Sequence, residues 1–156
     1  DGSVFEVDAE AAHYIGLFRE MIQAGNSMPT TTKPLEIPAS ITGPILKKVL
    51  DWVHRHKHSP QVLDEAYEIS IRESEGFEDQ WTDDYFKIDQ VTLFAVVNAA
   101  NFLHIKALLD AACKNIAVMI KGKSVEELRT FFGAPDDLTE AEKAAIAKEN
   151  EWLVEK

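Results

Sequence analysis

The chain has 156 residues, 46% of them hydrophobic and 28% charged, a composition that excludes disorder as the default and allows one domain of this size to bury roughly 70% of its unfolded surface. With 16 Lys and Arg against 27 Asp and Glu, the net charge of −11 argues against a phosphate backbone as ligand and for protein partners. A single cysteine, Cys113, excludes an internal disulfide and a cysteine-built zinc site, and no apolar run reaches the length needed to cross a bilayer.

In chain order, Asp1-Gly2-Ser3 is a turn signal, and Val4 to Val7 alternates as a half-buried strand whose hairpin mate would lie upstream. Asp8 is placed to cap a helix whose buried face carries Ala11, Tyr14, Ile15, Phe18, Met21 and Ile22, with Gly25 as its stop. A polar, turn-rich loop over 26–34 leads to a short strand, Leu35 to Pro38. Thr42-Gly43-Pro44 opens the next helix, with Ile45, Val49, Trp52 and Val53 as its buried stripe. The order so far is strand, helix, strand, helix.

His54, His56 and His58 follow at the end of that helix. Two of them one turn apart could share a metal, but basic groups are expected in a last turn from the helix dipole alone, and no carboxylate or cysteine nearby completes a ligand set. Residues 59–80 read as a long connector, although Leu63, Tyr67, Ile69 and Ile71 could support a partner-induced element. A short capped helix is expected over Trp81 to Phe86.

From Asp89 onward the sequence predicts four consecutive helices. Asp89 caps the first, with Thr92, Phe94, Val96, Val97, Ala100 and Leu103. The second carries Ile105, Leu108, Leu109, Ala112, Cys113, Ile116 and Ile120 on one wide stripe and stops at Gly122. Ser124 and Glu127 form a capping box for a short helix with Leu128, Phe131 and Phe132; Thr139 and Glu142 form another for a last helix expected to reach Lys156. That last helix is charged nearly all round, with Trp152 as an anchor candidate either for a partner or for the domain's own core. Together these helices carry more apolar surface than they can bury among themselves, which predicts a partner.

Chemistry is not evident. Paired carboxylates such as Asp83-Asp84 and Asp136-Asp137 sit at helix starts, where negative charge is favoured. Cys113 with His104 is the one candidate nucleophile and base, but Cys113 falls on an apolar stripe, as a packed or interface thiol does. There is no phosphate loop, nucleophile elbow or zinc-protease motif. The chain therefore reads as a non-enzyme without cofactor or metal.

The segments Asp89-Gln90-Val91-Thr92-Leu93-Phe94, Ala99-Ala100-Asn101-Phe102-Leu103, Leu108-Leu109-Asp110, Met119-Ile120-Lys121-Gly122-Lys123 and Lys148-Glu149-Asn150-Glu151-Trp152, with Asp1 to Val7 and Ile45 to Trp52 before them, closely resemble the S-phase kinase-associated protein 1 family, the adaptors of SCF ubiquitin ligases. The resemblance covers nearly the whole chain. It implies an α/β (α+β) fold, a BTB/POZ-like domain over 1–104 that binds a cullin, with additional C-terminal helices over 105–156 that bind the F-box of a substrate receptor. The implied F-box side comprises Phe94, Val97, Leu109, Cys113, Ile116, Asn150 and Trp152; the cullin side comprises Asn101 and Phe102. It further implies a cytoplasmic and nuclear setting, with neither nucleic acid nor membrane as partner.

Four positions depart from the family pattern: Val91 stands for glycine, Phe102 for tyrosine, His104 for aspartate and Leu153 for cysteine. The rival reading is a BTB-type self-associating module similar to elongin C, which should lack the last two helices; their capping boxes count against it.

Overall fold

The structure, a computed structural model, describes residues 2–25, 29, 30, 33–58 and 79–151. The expected connector over 59–80 therefore falls almost wholly outside the described residues, as do part of the 26–34 loop, Trp152 and Leu153. The chain divides into two compact units, Asp1–Met119 and Ile120–Lys156.

In the first unit, α1 (Ala9–Tyr14) and α2 (Gly16–Gln23) replace the single helix that the apolar face predicts. Asp8 does cap α1, its carboxylate accepting from the Ala11 amide at 2.7 Å. The break comes at Ile15, which is extended at ψ 114° and buried to 2% exposure. One amide freed beyond the break, that of Leu17, donates to the carbonyl of Leu103 at 3.1 Å. A distant segment thus takes over a bond that helix continuity would otherwise supply.

Helix α3 (Gly43–His56) buries Val49, Leu50, Trp52 and Val53. Helix α4 (Gln80–Tyr85) is capped by Asp79, whose carboxylate accepts from the Thr82 amide and hydroxyl. Helix α5 (Gln90–Phe102), capped by Asp89, buries Leu93, Val96, Ala99 and Ala100, and α6 (Lys106–Ile120) buries Leu108, Ala111 and Ala112. The principal packing of the unit sets α3 against α5, with α1 against both α2 and α3. Leu93, Val96, Ala99, Val49 and Val53 are fully enclosed, and burying each Val or Leu contributes about 1.5–3 kcal/mol. An aromatic group supports the α3–α4 side, where Trp52 meets Tyr85 edge-on at 5.3 Å and His56 stacks on Trp52 at 4.1 Å.

The expected strands are a correction. Among the described residues the one β pairing is an isolated antiparallel bridge between Thr30 and Lys33. The side-chain alternation survives without a ladder: Phe5, Val7 and Ile37 pack against the core, whereas Val4, Glu6 and Glu36 are exposed. Alternation reports which face is buried; a strand needs a backbone partner as well.

In the second unit, α7 (Val125–Phe132) and α8 (Glu140–Glu149) each open with the predicted capping box. Ser124 accepts from the Glu127 amide while Glu127 accepts from the Ser124 amide, and Thr139 and Glu142 repeat the exchange. Gly133 closes α7 at φ 62°. Helix α8 ends at Glu149, where Asn150 turns its side-chain amide back onto the Ile146 carbonyl at 2.8 Å; the rest of the expected helix, 152–156, lies outside the described residues. Asn favours such local bonds over helix continuation. Neither helix has a buried residue. Arg129 and Lys143 converge on Asp136 at 2.7 and 2.8 Å, tying the two helices of this unit through the loop between them.

Candidate functional site

Helix α5 turns its enclosed stripe toward α3, which leaves Phe94 and Val97, one turn apart, only half-buried beside it. On α6 the residues at 109, 113 and 116 share a face by their i, i+4, i+7 spacing. Leu109 and Ile116 are half-buried there and Cys113 is exposed. Val97, Leu109 and Ile116 all rest against the same core. Burial, then Asp110, pushes the Cys113 thiol up, the opposite of what a nucleophilic cysteine needs. The paired base of the hydrolase reading, His104, has its Nδ1 engaged 2.8 Å from Glu20 Oε1.

Asn101 is exposed and Phe102 half-buried in the last turn of α5. The chain then turns a corner through Leu103 and His104. The His104 amide donates to the Asn101 carbonyl and the Ile105 amide to the Ala100 carbonyl, with His104 left-handed at φ 54°. This paired closure is a Schellman motif whose left-handed position is usually glycine. Gly16 presses onto the corner: a Cβ there would lie 2.4 Å from the His104 carbonyl oxygen and 2.8 Å from its Cβ.

Of the remaining expected site residues, Asn150 is the exposed C-cap of α8 in the second unit, and Trp152 lies outside the described residues. Sequence reasoning missed Gly16 and Glu20. Glu20 is 84 positions from His104 and carries no local signal; Gly16 had one, a glycine inside an apolar helical run, which often marks close approach.

The three histidines at and just beyond the end of α3 each face a different neighbour. His56 donates to the Trp52 carbonyl at 2.9 Å, while His54 and His58 lie 3.9 and 3.8 Å from Asp8 and Glu10 respectively. Lys57 occupies the space between those carboxylates, 2.6 Å from Asp8 and 3.4 Å from Glu10. Among the described residues no group of three or more His, Cys, Asp or Glu is placed to hold a metal ion. Nor is any described helix long and apolar enough to cross a membrane. A shallow groove between Asp51, His54, Arg55, Trp81, Asp84 and Tyr85 is held by the chain's own cations, Arg55 over the Trp81 ring and Lys48 over the Tyr85 ring.

With this geometry established, likeness to known proteins decides the family. SCF ubiquitin ligase complex protein SKP1a of Dictyostelium discoideum is 39% identical over 158 aligned residues, covering 100% of this chain and 93% of that protein. The chain belongs to the Skp1 family. Two Skp1-family models match it, the tetramerisation domain over residues 1–58 and the dimerisation domain over residues 106–153. Two fungal Skp1-family relatives, each an E3 ubiquitin ligase complex SCF subunit sconC, are also similar. That of Talaromyces stipitatus is 43% identical over 120 residues, 77% of this chain and 73% of its own. That of Arthroderma benhamiae is 36% identical over 155 residues, 99% and 92% respectively. The model matching 1–58 is of the POZ type, which supports a BTB/POZ-like fold for a region that is helical wherever its described residues form regular structure.

Proposed function

We propose that this Skp1-family chain is a non-catalytic adaptor of an SCF-type ubiquitin ligase, holding an F-box substrate receptor on its C-terminal helices and a cullin on its BTB/POZ-like part. The names of its relatives as SCF subunits support the setting. The observation that carries the reading is the second unit, where α7 and α8 enclose nothing although Val125 and Phe132 are 60% and 50% exposed and Ile146 is 46% exposed. Helices with apolar side chains and no enclosed residue gain most from a partner that supplies the missing layer.

On this reading the work is positional. A receptor and a cullin held by one adaptor raise the effective concentration of cargo at a distant conjugating enzyme, with no bond made or broken by the adaptor. The division of labour places the cullin side before residue 105, at Asn101 and Phe102. The F-box side follows it: Leu109, Cys113 and Ile116 on α6 and Asn150 and Trp152 beyond, with Phe94 and Val97 contributed from α5. Cytoplasm and nucleus are the compartments proposed.

The test is a pair of titrations with the full chain. Trp152→Ala should weaken F-box binding by about 2 kcal/mol or more if the tryptophan is a hot spot, while Asn101→Lys should abolish cullin capture and leave F-box affinity intact. Wild-type chain that binds neither an F-box domain nor a cullin would end the adaptor reading.

A further inference from the structure

The corner after α5 holds a residue that stability alone does not explain. His104 occupies the left-handed closing position of a Schellman motif, where a side chain with a Cβ is disfavoured relative to a right-handed residue and glycine fits freely. Its side chain is not buried to compensate. The pair it makes with Glu20 joins groups 49% and 58% exposed, and an exposed, solvent-screened pair of that kind contributes little. The backbone of α2 is fitted around it as well, since Gly16 leaves room for the His104 carbonyl and Cβ. Strain held in place by its surroundings and not repaid locally points to a use for the side chain.

The chemistry of the pair indicates the use. A carboxylate can only accept, so the proton of the neutral ring sits on Nδ1, facing Glu20, and Nε2 is left as the acceptor. Nε2 has no hydrogen-bond partner among the described residues. Asn101, whose carbonyl accepts from the His104 amide, is exposed on the same corner. The surface thus offers a side-chain amide and, beside it, an imidazole fixed in one tautomer by a second helix.

We infer that His104, oriented by Glu20, extends the cullin-binding edge and accepts a hydrogen bond at Nε2 from a donor side chain of that partner. The inference rests on the cullin reading proposed above. Glu20 is a positioning residue in this account and His104 the contact.

The test titrates the full chain, bound to an F-box domain, against a cullin. Its variants are His104→Gly and His104→Asn, both of which tolerate the left-handed backbone and neither of which reaches the position of Nε2. Loss of one hydrogen bond should raise the cullin Kd about five- to ten-fold in both variants, with F-box affinity held and the melting temperature not lowered. An unchanged cullin Kd in either variant overturns the inference. Asn101→Lys, run alongside, separates the two levels: wild-type chain that captures no cullin removes the cullin reading itself, and capture that survives Asn101→Lys moves the cullin away from this edge and overturns the inference with it. Capture abolished by Asn101→Lys but indifferent to His104 removes this inference alone.

Discussion

His56 shows how far a single side chain can stand from the reading its neighbours suggest. In sequence it is the middle of three histidines at the end of a helix. In the structure its ring stacks on Trp52 at 4.1 Å, meets Trp81 edge-on at 5.5 Å and donates from Nδ1 to the Trp52 carbonyl. Burial holds its pKa below the ordinary 6.5, against the opposing pull of that carbonyl and of Asp79. The sign follows. The folded protein resists protonating His56 while the unfolded chain accepts a proton near 6.5, so this residue destabilises the fold as pH falls through that value toward its folded pKa. His56→Phe keeps a ring in the stack and removes the titration. Denaturant unfolding at pH 7 and pH 5 should show a smaller loss of stability on acidification for His56→Phe than for wild type; equal losses would mean the ring is solvated in both protonation states.

At the scale of elements, what was legible is what local chemistry decides. The caps at Asp8, Asp89, Ser124 and Thr139 each hold the bonds their residue types predict, because a cap is a contact over three residues. The apolar period located α3, α5 and α6. What was not legible depended on residues far away. The break at Ile15 exists because Leu17 finds the Leu103 carbonyl and Gly16 finds the His104 corner, contacts spanning more than eighty positions. The strands expected at 4–7 and 35–38 rest on alternation, which fixes the buried face but says nothing of a hydrogen-bonded neighbour.

The Gly16 contact makes the α2–corner junction testable as an element. Alanine outranks glycine in helix propensity, so propensity alone predicts that Gly16→Ala stabilises α2. The geometry predicts the reverse, since the added methyl meets a backbone carbonyl at 2.4 Å and overpacking of this kind costs about 1–3 kcal/mol. Thermal unfolding should therefore show a lower melting temperature for Gly16→Ala. Because the nearest obstructing atom is backbone, adding His104→Gly should not restore it. A rise in melting temperature for the single variant would show that the corner yields at little cost.

For the molecule as a whole, the two units differ in kind. The first encloses a continuous core running from Ala11 to Ala112, and the second, over its described residues, encloses none. That contrast was partly legible, since surplus apolar surface in the last helices was the reason to expect a partner; the polarity of α8 was legible too, but its end at Asn150 was not. Local stability tracks buried apolar contacts, so amides of α7 and α8 in the free chain should exchange far faster than those of α5, capping boxes notwithstanding, because a cap contributes only about 1 kcal/mol. An F-box partner that covers these helices stabilises them by mass action, about 2.7 kcal/mol at a hundred-fold excess over Kd, which slows exchange by about a hundred-fold at amides whose opening exposes the contact. Hydrogen exchange with and without a saturating F-box domain should then show the largest gain in α7 and α8 and little change in α3. Helices α7 and α8 already as protected as α5 in the free chain would mean that their apolar side chains have no layer left to gain, and the physical case for a receptor at this end would fall with that result.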